Sequence, residues 1–277
     1  MVSNVRKCYP GGRAKAFSLS YDDGVEQDVR LVELLNRYGL TGTFNLNSQL
    51  MLEQFQWIHE SGMPVRRLSV DAAQGLYDGH EIASHSLTHP YLHTLPEQEV
   101  MRQLGEDKRQ LERLFDRQVQ GFALPFTDYN DMIACCARKC GFEYVRISEE
   151  SGNYDPFQPK LYRRAGIFHL RPELKAFVKG FLETNRELAL CQIVGHSYDL
   201  DVADLWPDME EIFCAVSRNP QVVCLTNLEL VRYLEAMEHA QISEHEIINP
   251  TDTELWLCVG ERVLTVAPGE RICYDDL

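Results

Sequence analysis

The feature that most constrains this chain is an alternation of short apolar runs with helix-length amphipathic stretches. Apolar runs fall at Ala16–Tyr21, Gly42–Asn47, Glu81–Ser86, Val119–Leu124, Glu143–Ile147, Gln192–Gly195 and Val222–Thr226, with a weaker one at Arg164–Phe168. Between them, apolar residues recur at helical spacing. In Gln27–Tyr38 the residues Val29, Leu31, Val32, Leu34 and Leu35 form one stripe, and Gly39 provides a stop. Further helices are predicted at Glu97–Phe115, Tyr129–Lys139, Pro172–Asn185, Trp206–Arg218 and Leu228–Met237, with Pro96 and Asp128 suited to their first turns. Strands separated by helices pair in parallel, because each helix returns the chain to the end where the previous strand began. Seven or eight such units predict an α/β fold and fit a (β/α) barrel, closed or partly open, better than a two-layer sandwich. We assign it residues 1–240 of the 277. Residues 241–277 read differently. Glu254–Val259 and Arg262–Val266 flank Gly260-Glu261 and predict a β-hairpin appendage.

Composition narrows the function classes. The chain carries 27 basic and 42 acidic residues, a net charge of −15. Such an acidic surface disfavours general binding of nucleic acid or anionic lipid, and the pairs Arg66-Arg67 and Arg163-Arg164 are too short to reverse this. No apolar run approaches the roughly 18 residues of a membrane span. The nine cysteines form no CxxC, and residues 1–8 lack the apolar stretch of a signal peptide. We therefore expect a reducing, cytoplasmic setting, with no nucleic-acid or membrane partner. The β tail leaves a homo-oligomer open.

Three motifs sit at C-terminal ends of predicted strands. Ser20-Tyr21-Asp22-Asp23-Gly24 ends the first strand. Adjacent carboxylates repel unless a cation compensates them; the alternative is ordinary turn chemistry. His85-Ser86-Leu87-Thr88-His89 ends the third. Two imidazoles four apart share a face and suit zinc or a similar metal. Val194-Gly195-His196-Ser197-Tyr198 ends a late strand, with Asp199 and Asp201 near enough to orient His196. Each motif alone has an ordinary structural explanation. Together they share the edge where α/β barrels assemble active sites.

The order and spacing of these motifs, with Gly42-Thr43-Phe44 after the first helix, resemble the metal-dependent polysaccharide deacetylases (carbohydrate esterase family 4, the NodB-homology domain) over roughly residues 14–235. The resemblance implies a distorted (β/α) barrel of about seven parallel strands, with Asp22 as general base, His196 as general acid, and Asp23, His85 and His89 as metal ligands. It also implies that the backbone N–H of Phe126, after Pro125, helps hold an oxyanion. One position departs from the family. An arginine that normally pairs with the catalytic aspartate is replaced by Ala123, two residues before Pro125. Arg146, at the end of the next predicted strand, is our proposed substitute; the alternative is a surface arginine.

The implied cofactor is a divalent metal, zinc first, with cobalt, nickel or iron acceptable to the same N/O donors. The implied substrate is an acetylated carbohydrate. Competing readings on the same fold are hydrolysis of a small, non-sugar amide and a binding module with a weakened site. Tyr21, Phe126, Tyr129, Tyr198 and Trp206 lie near strand ends, where they could stack on a sugar ring or simply pack.

Overall fold

A computed structural model of the chain describes residues 5–126, 129–150, 152–156, 163–243 and 245–273. In chain order its elements are β1 (Val5–Cys8), β2 (Lys15–Asp22), α1 (Asp28–Arg37), β3 (Thr43–Leu46), α2 (Ser48–Leu52), β4 (Gln56–Ile58), β5 (Pro64–Arg66), α3 (Val70–Ala73) and β6 (Glu81–Ser84). Then come α4 (Glu97–Phe115), β7 (Gly121–Ala123), α5 (Asp131–Lys139), β8 (Tyr144–Glu150), β9 (Arg163–Phe168), α6 (Leu174–Glu183), β10 (Ala189–His196), α7 (Ser197–Val202), α8 (Trp206–Ser217), β11 (Val222–Cys224) and α9 (Asn227–His239). The tail holds β12 (Gln241–Ile242), β13 (Glu246–Ile248), β14 (Leu255–Val259), β15 (Arg262–Val266) and β16 (Arg271–Cys273).

Among the described residues, seven parallel strands form the ring, in the order β2-β3-β6-β7-β8-β9-β10, and β10 returns to pair with β2. All eight apolar runs expected to be strands are strands, but β11 plays a different part from the others. It pairs with β2 only at residues 15–17, while β3 pairs with β2 at residues 20–22. One edge of β2 is thus shared, which splays the ring at the base and distorts the barrel. Asp128, expected to cap α5, lies outside the described residues. The cap is Asn130, whose side chain accepts the Ile133 N–H.

The hairpin expected in the tail is β14 and β15, and β1 adds a third strand to it through pairs from Val5↔Val259 to Cys8↔Trp256. Tail and N-terminus thereby close over the apolar side of α9 and the base of β10, burying Leu190, Leu230, Leu234, Ile247, Leu255 and Leu257. No described helix is long and apolar enough to cross a membrane.

Several short elements had no signal in the apolar pattern. The hairpin β4–β5 is one. Its strands have three residues each and are largely exposed, so no stripe marks them.

Two buried carboxyls tie the helices to the strand ends. Asp28 accepts from Tyr77 Oη (2.7 Å) and Ser197 Oγ (2.5 Å), joining α1 to the start of α7. Asp107, on α4, accepts from the Ser48 N–H (2.8 Å), Ser48 Oγ (2.6 Å) and Ser84 Oγ (2.5 Å), joining α2 and β6. Burial raises both acids, to about 7 for Asp28 and about 6 for Asp107, although these hydrogen bonds oppose it. An unfolded aspartate titrates near 4, so from about pH 4 to about pH 7 the folded chain holds a proton at Asp28 that the unfolded chain releases. Stability from this group is full below that window and falls as pH rises through it. Asp28→Asn should flatten the fall between pH 5 and 7 by up to about 1.4 kcal/mol per pH unit, read from urea unfolding of both proteins across that range.

Candidate active site

The site is one layer of the barrel. Strand register sets His196 beside Asp22, Asp22 beside Asn45, and Ala123 beside Arg146. His85 follows directly after β6, its N–H bonded to the Leu46 carbonyl. Asp22, Asp23, His85, His89 and His196 therefore lie at or just after the C-terminal ends of their strands, and the structure brings them together; Arg146, expected at a strand end, is the third residue of β8.

Asp22 is buried and meets Arg146, whose Nη2 donates to both carboxylate oxygens across the barrel interior, at 2.5 Å to Oδ2. Asn45 donates to Oδ1 at 2.8 Å. Burial alone would raise this acid. The charge of Arg146, with that of His196, overcomes burial and holds it below the ordinary carboxylate range. Arg146 is only 1% exposed, so the reading of it as a surface arginine is excluded. It comes from the strand next to Ala123, in register with it, and reaches Asp22 with the charge that Ala123 lacks.

Asp23, His85 and His89 bring one ligand atom each within 4.8 Å of one another. His85 Nε2 lies 4.0 Å and His89 Nε2 3.8 Å from Asp23 Oδ1. His85 Nδ1 is held at 2.8 Å by the Ala123 carbonyl, which turns Nε2 inward. Burial keeps both imidazoles neutral, depressing His85 to about 3 and lowering His89. Asp23 is held well below the ordinary range despite its burial, chiefly by the charge of Arg67, then by that of His196. Its Oδ1 is buried and accepts no hydrogen bond. Arg67 Nη1 approaches that oxygen at 2.9 Å without hydrogen-bond alignment, and donates instead to the Asp23 carbonyl. Two neutral imidazoles and an orphaned carboxylate oxygen form a donor set that fits a divalent cation.

His196 is oriented by Asp199, with Nδ1 3.0 Å from Oδ2. Burial would lower the imidazolium. The Asp199 hydrogen bond and the charges of Asp23, Asp22 and Asp199 reverse this and raise it to about 9. The same carboxylate also receives His169 Nε2 at 3.2 Å and is itself held at about 2, against burial, by the two histidines. Gly195 leaves room for the His169 ring: a Cβ there would lie 2.5 Å from it.

Backbone strain collects here. Asp23 (φ 87°), Ser86 (67°), His89 (55°) and Phe126 (59°) all adopt the left-handed region without being glycine. Phe126 stacks on Tyr91 at 3.8 Å and edges onto His89 at 4.7 Å, and its N–H makes no hydrogen bond among the described residues.

Of the aromatics considered for stacking, Tyr198 lies against His196 (5.0 Å, 17°) at the site. Tyr21 and Trp206 are core residues, and Tyr129 packs against the core. Sequence reasoning missed Asn45, Arg67 and His169. His169 directly follows the weakest predicted strand, and Asn45 sits within the second, so a search of strand ends for any polar residue would have found both. Nothing in the apolar pattern marks Arg67.

A family model described as polysaccharide deacetylase matches residues 10–145. No curated protein matches the chain. Similar solved structures include a putative polysaccharide deacetylase from Mycobacterium smegmatis (TM-score 0.65, 14% identity, covering 84% of this chain and 94% of that one). The Xyl-CE4 domain of a multidomain xylanase from the hindgut metagenome of Trinervitermes trinervoides is also similar (0.54, 16%, 80% and 92%). A third is a CE4 family pseudoenzyme from Bacillus anthracis (0.50, 18%, 82% and 68%). At these identities the likeness is one of fold.

The Asp22–Arg146 pair generates a stability prediction. Arg146 depresses Asp22, so its contribution is present above the ordinary carboxylate range and is lost as pH falls through it. Arg146→Met strands a buried carboxylate and should cost about 3 kcal/mol at pH 7, shrinking below about pH 5, as measured by urea midpoints.

Proposed function

We propose, for a chain that belongs to the polysaccharide deacetylase family through residues 10–145, that it is a metal-dependent hydrolase removing acetyl groups, N- or O-linked, from a carbohydrate. One observation carries this reading. The donor set Asp23, His85 and His89 is flanked by an ionised carboxylate, Asp22, and a charged imidazolium, His196.

A divalent ion held by Asp23, His85 and His89 would supply the Lewis acidity that polarises a carbonyl and makes water nucleophilic near neutral pH. The remaining work falls to the chain. Asp22, kept ionised by Arg146 and held in place by Asn45, takes the proton of the attacking water. The left-handed turn at Phe126 leaves its N–H without an internal acceptor, as a donor to the developing oxyanion requires. His196 has Nδ1 committed to Asp199, so Nε2 is the atom that gives a proton to the departing nitrogen as the C–N bond breaks. An amide nitrogen leaves poorly without that proton. With its imidazolium at about 9, His196 is in the donating form at neutral pH.

Acetate release from a panel of N-acetylated saccharides, an aryl acetate and a cyclic amide tests the reading. Release should vanish on chelation and return with zinc or cobalt. Asp22→Asn should lose about three orders of magnitude in turnover while still binding zinc through the other three residues. Metal-independent release, or near-normal turnover by Asp22→Asn, would sink the assignment. The alkaline limb of kcat/KM should move to lower pH in Asp199→Asn, because the carboxylate that holds Nδ1 and stabilises the imidazolium is gone.

A further inference from the structure

In the antiparallel ladder of β1 with β14, Cys8 stands opposite Trp256, and Cys258 stands opposite Arg6. Cys8 and Cys258 are therefore one diagonal step apart. Both fall on the same face, because side chains alternate along a strand. Their sulfurs lie 2.9 Å apart. No other two cysteines make a sulfur contact among the described residues.

The backbone is fixed around this pair. Tyr233, on α9, donates to the Cys8 carbonyl and accepts the Trp256 N–H at 3.1 Å. Both cysteines are buried, Cys8 at 4% and Cys258 at 8% exposure. Both also line a cavity of about 410 Å³, whose other walls include the exposed Arg6, Gly11 and Arg13, so a small reagent has an approach to this part of the ladder. Leu188 and Gln221, in the same walls, immediately precede β10 and β11. The cavity is thus at the opposite end of the barrel from the candidate active site.

Two chemistries could use such a pair. Sulfur ligands sharing a metal ion sit about 2.3 Å from it and stand farther apart than these two, and no third donor joins them in a metal-holding group among the described residues. A disulfide bond is about 2.0 Å long, so the sulfurs need close by only about 1 Å. Burial, then the hydrogen bond with Cys258, push the Cys8 thiol up to about 12, so it stands beside its neighbour as a neutral thiol.

We infer that Cys8 and Cys258 form a reversible disulfide that fastens the N-terminal strand to the tail. The oxidant is a low-molecular-weight disulfide such as glutathione disulfide. Cys258, the less buried of the two, gives up its proton and attacks one sulfur of that disulfide, and the first external thiol leaves with that proton. Cys8 then attacks the Cys258 sulfur, and the second external thiol leaves with the Cys8 proton. Two cysteine thiols are oxidised to one disulfide, and one external disulfide is reduced to two thiols. The bond closes a loop of about 250 residues that contains the whole barrel, so it restrains the unfolded chain strongly. The pair stays a dithiol in a reducing compartment and closes in an oxidising one.

Trypsin separates the two residues cleanly. Cys8 falls in the peptide Cys8–Arg13 and Cys258 in Tyr233–Arg262, each with a single cysteine. The folded full chain is treated with glutathione disulfide, free thiols are blocked, and the digest is read by mass spectrometry without reduction. The main cross-link should join these two peptides. The unfolding temperature should rise by about 5 °C on oxidation and return with dithiothreitol. Cys8→Ala and Cys258→Ala should each lose both the cross-link and the rise. Absence of the linked peptides from the oxidised wild type, glutathione retained on either cysteine as the end product, or an unchanged unfolding temperature in the bridged chain would overturn the inference. All three are read on the wild type, so poor folding of a variant cannot rescue it.

Discussion

The contact between Arg146 and Asp22 crosses the barrel interior, from β8 to β2, and much of the site follows from it. A carboxylate this deep would otherwise protonate or push the strands apart. With the guanidinium on both oxygens and Asn45 beside it, Asp22 stays charged in a position with little water. That fixes where the neighbouring Asp23 must point, because the chain turns sharply between them into a left-handed conformation. His85, His89 and His196 then all lie within 4.0 Å of these two carboxylates.

Below this layer the barrel is also polar. Ser18 and Gln192 bond to Asn227 Oδ1, and Asn227 donates to Ser20. Glu81 accepts from Thr43, Tyr144 and the Leu228 N–H. Stacked layers of branched apolar side chains would fill such a barrel more simply. Here the apolar packing lies largely outside the ring, against the helices, and the interior is a hydrogen-bonded column. Asn227 and Leu228 begin α9, so the last barrel helix is anchored in that column. Its capping box, Thr226 with Glu229, closes the same turn. Such a column holds direction-dependent bonds, which set side-chain positions more narrowly than apolar contact does.

Much of this was legible in the chain. Apolar runs and helical stripes located the ring strands and the longer helices, because both depend on local period and on burial of one face. The site residues Asp22, Asp23, His85, His89 and His196 were legible because strand ends in such a fold share one edge, and because their motifs resemble a known family. The β4–β5 hairpin, α2, α3 and α7 were not. They are short, and their place is set by contacts with other parts of the chain, as when Arg67 bonds to Phe55 and Asp23. The pairing of β1 with β14 joins residues about 250 apart and has no local signature.

Sequence by itself therefore determined the alternation, the parallel pairing it forces, and the residue types available at each strand end. Tertiary structure decided which of them meet. Ala123 looked like a loss until the register of β7 and β8 set Arg146 beside it, with reach to Asp22. Asp199 looked like one of two carboxylates able to orient His196, until α7 turned it onto Nδ1 and left Asp201 to the Trp206 indole. Arg67 looked like surface charge until the hairpin folded it against Asp23. For Arg146 and Arg67 the deciding quantity is a distance between side chains far apart in sequence, which the tertiary fold sets and local pattern does not encode; for Asp199 it is the local turn of α7 after β10.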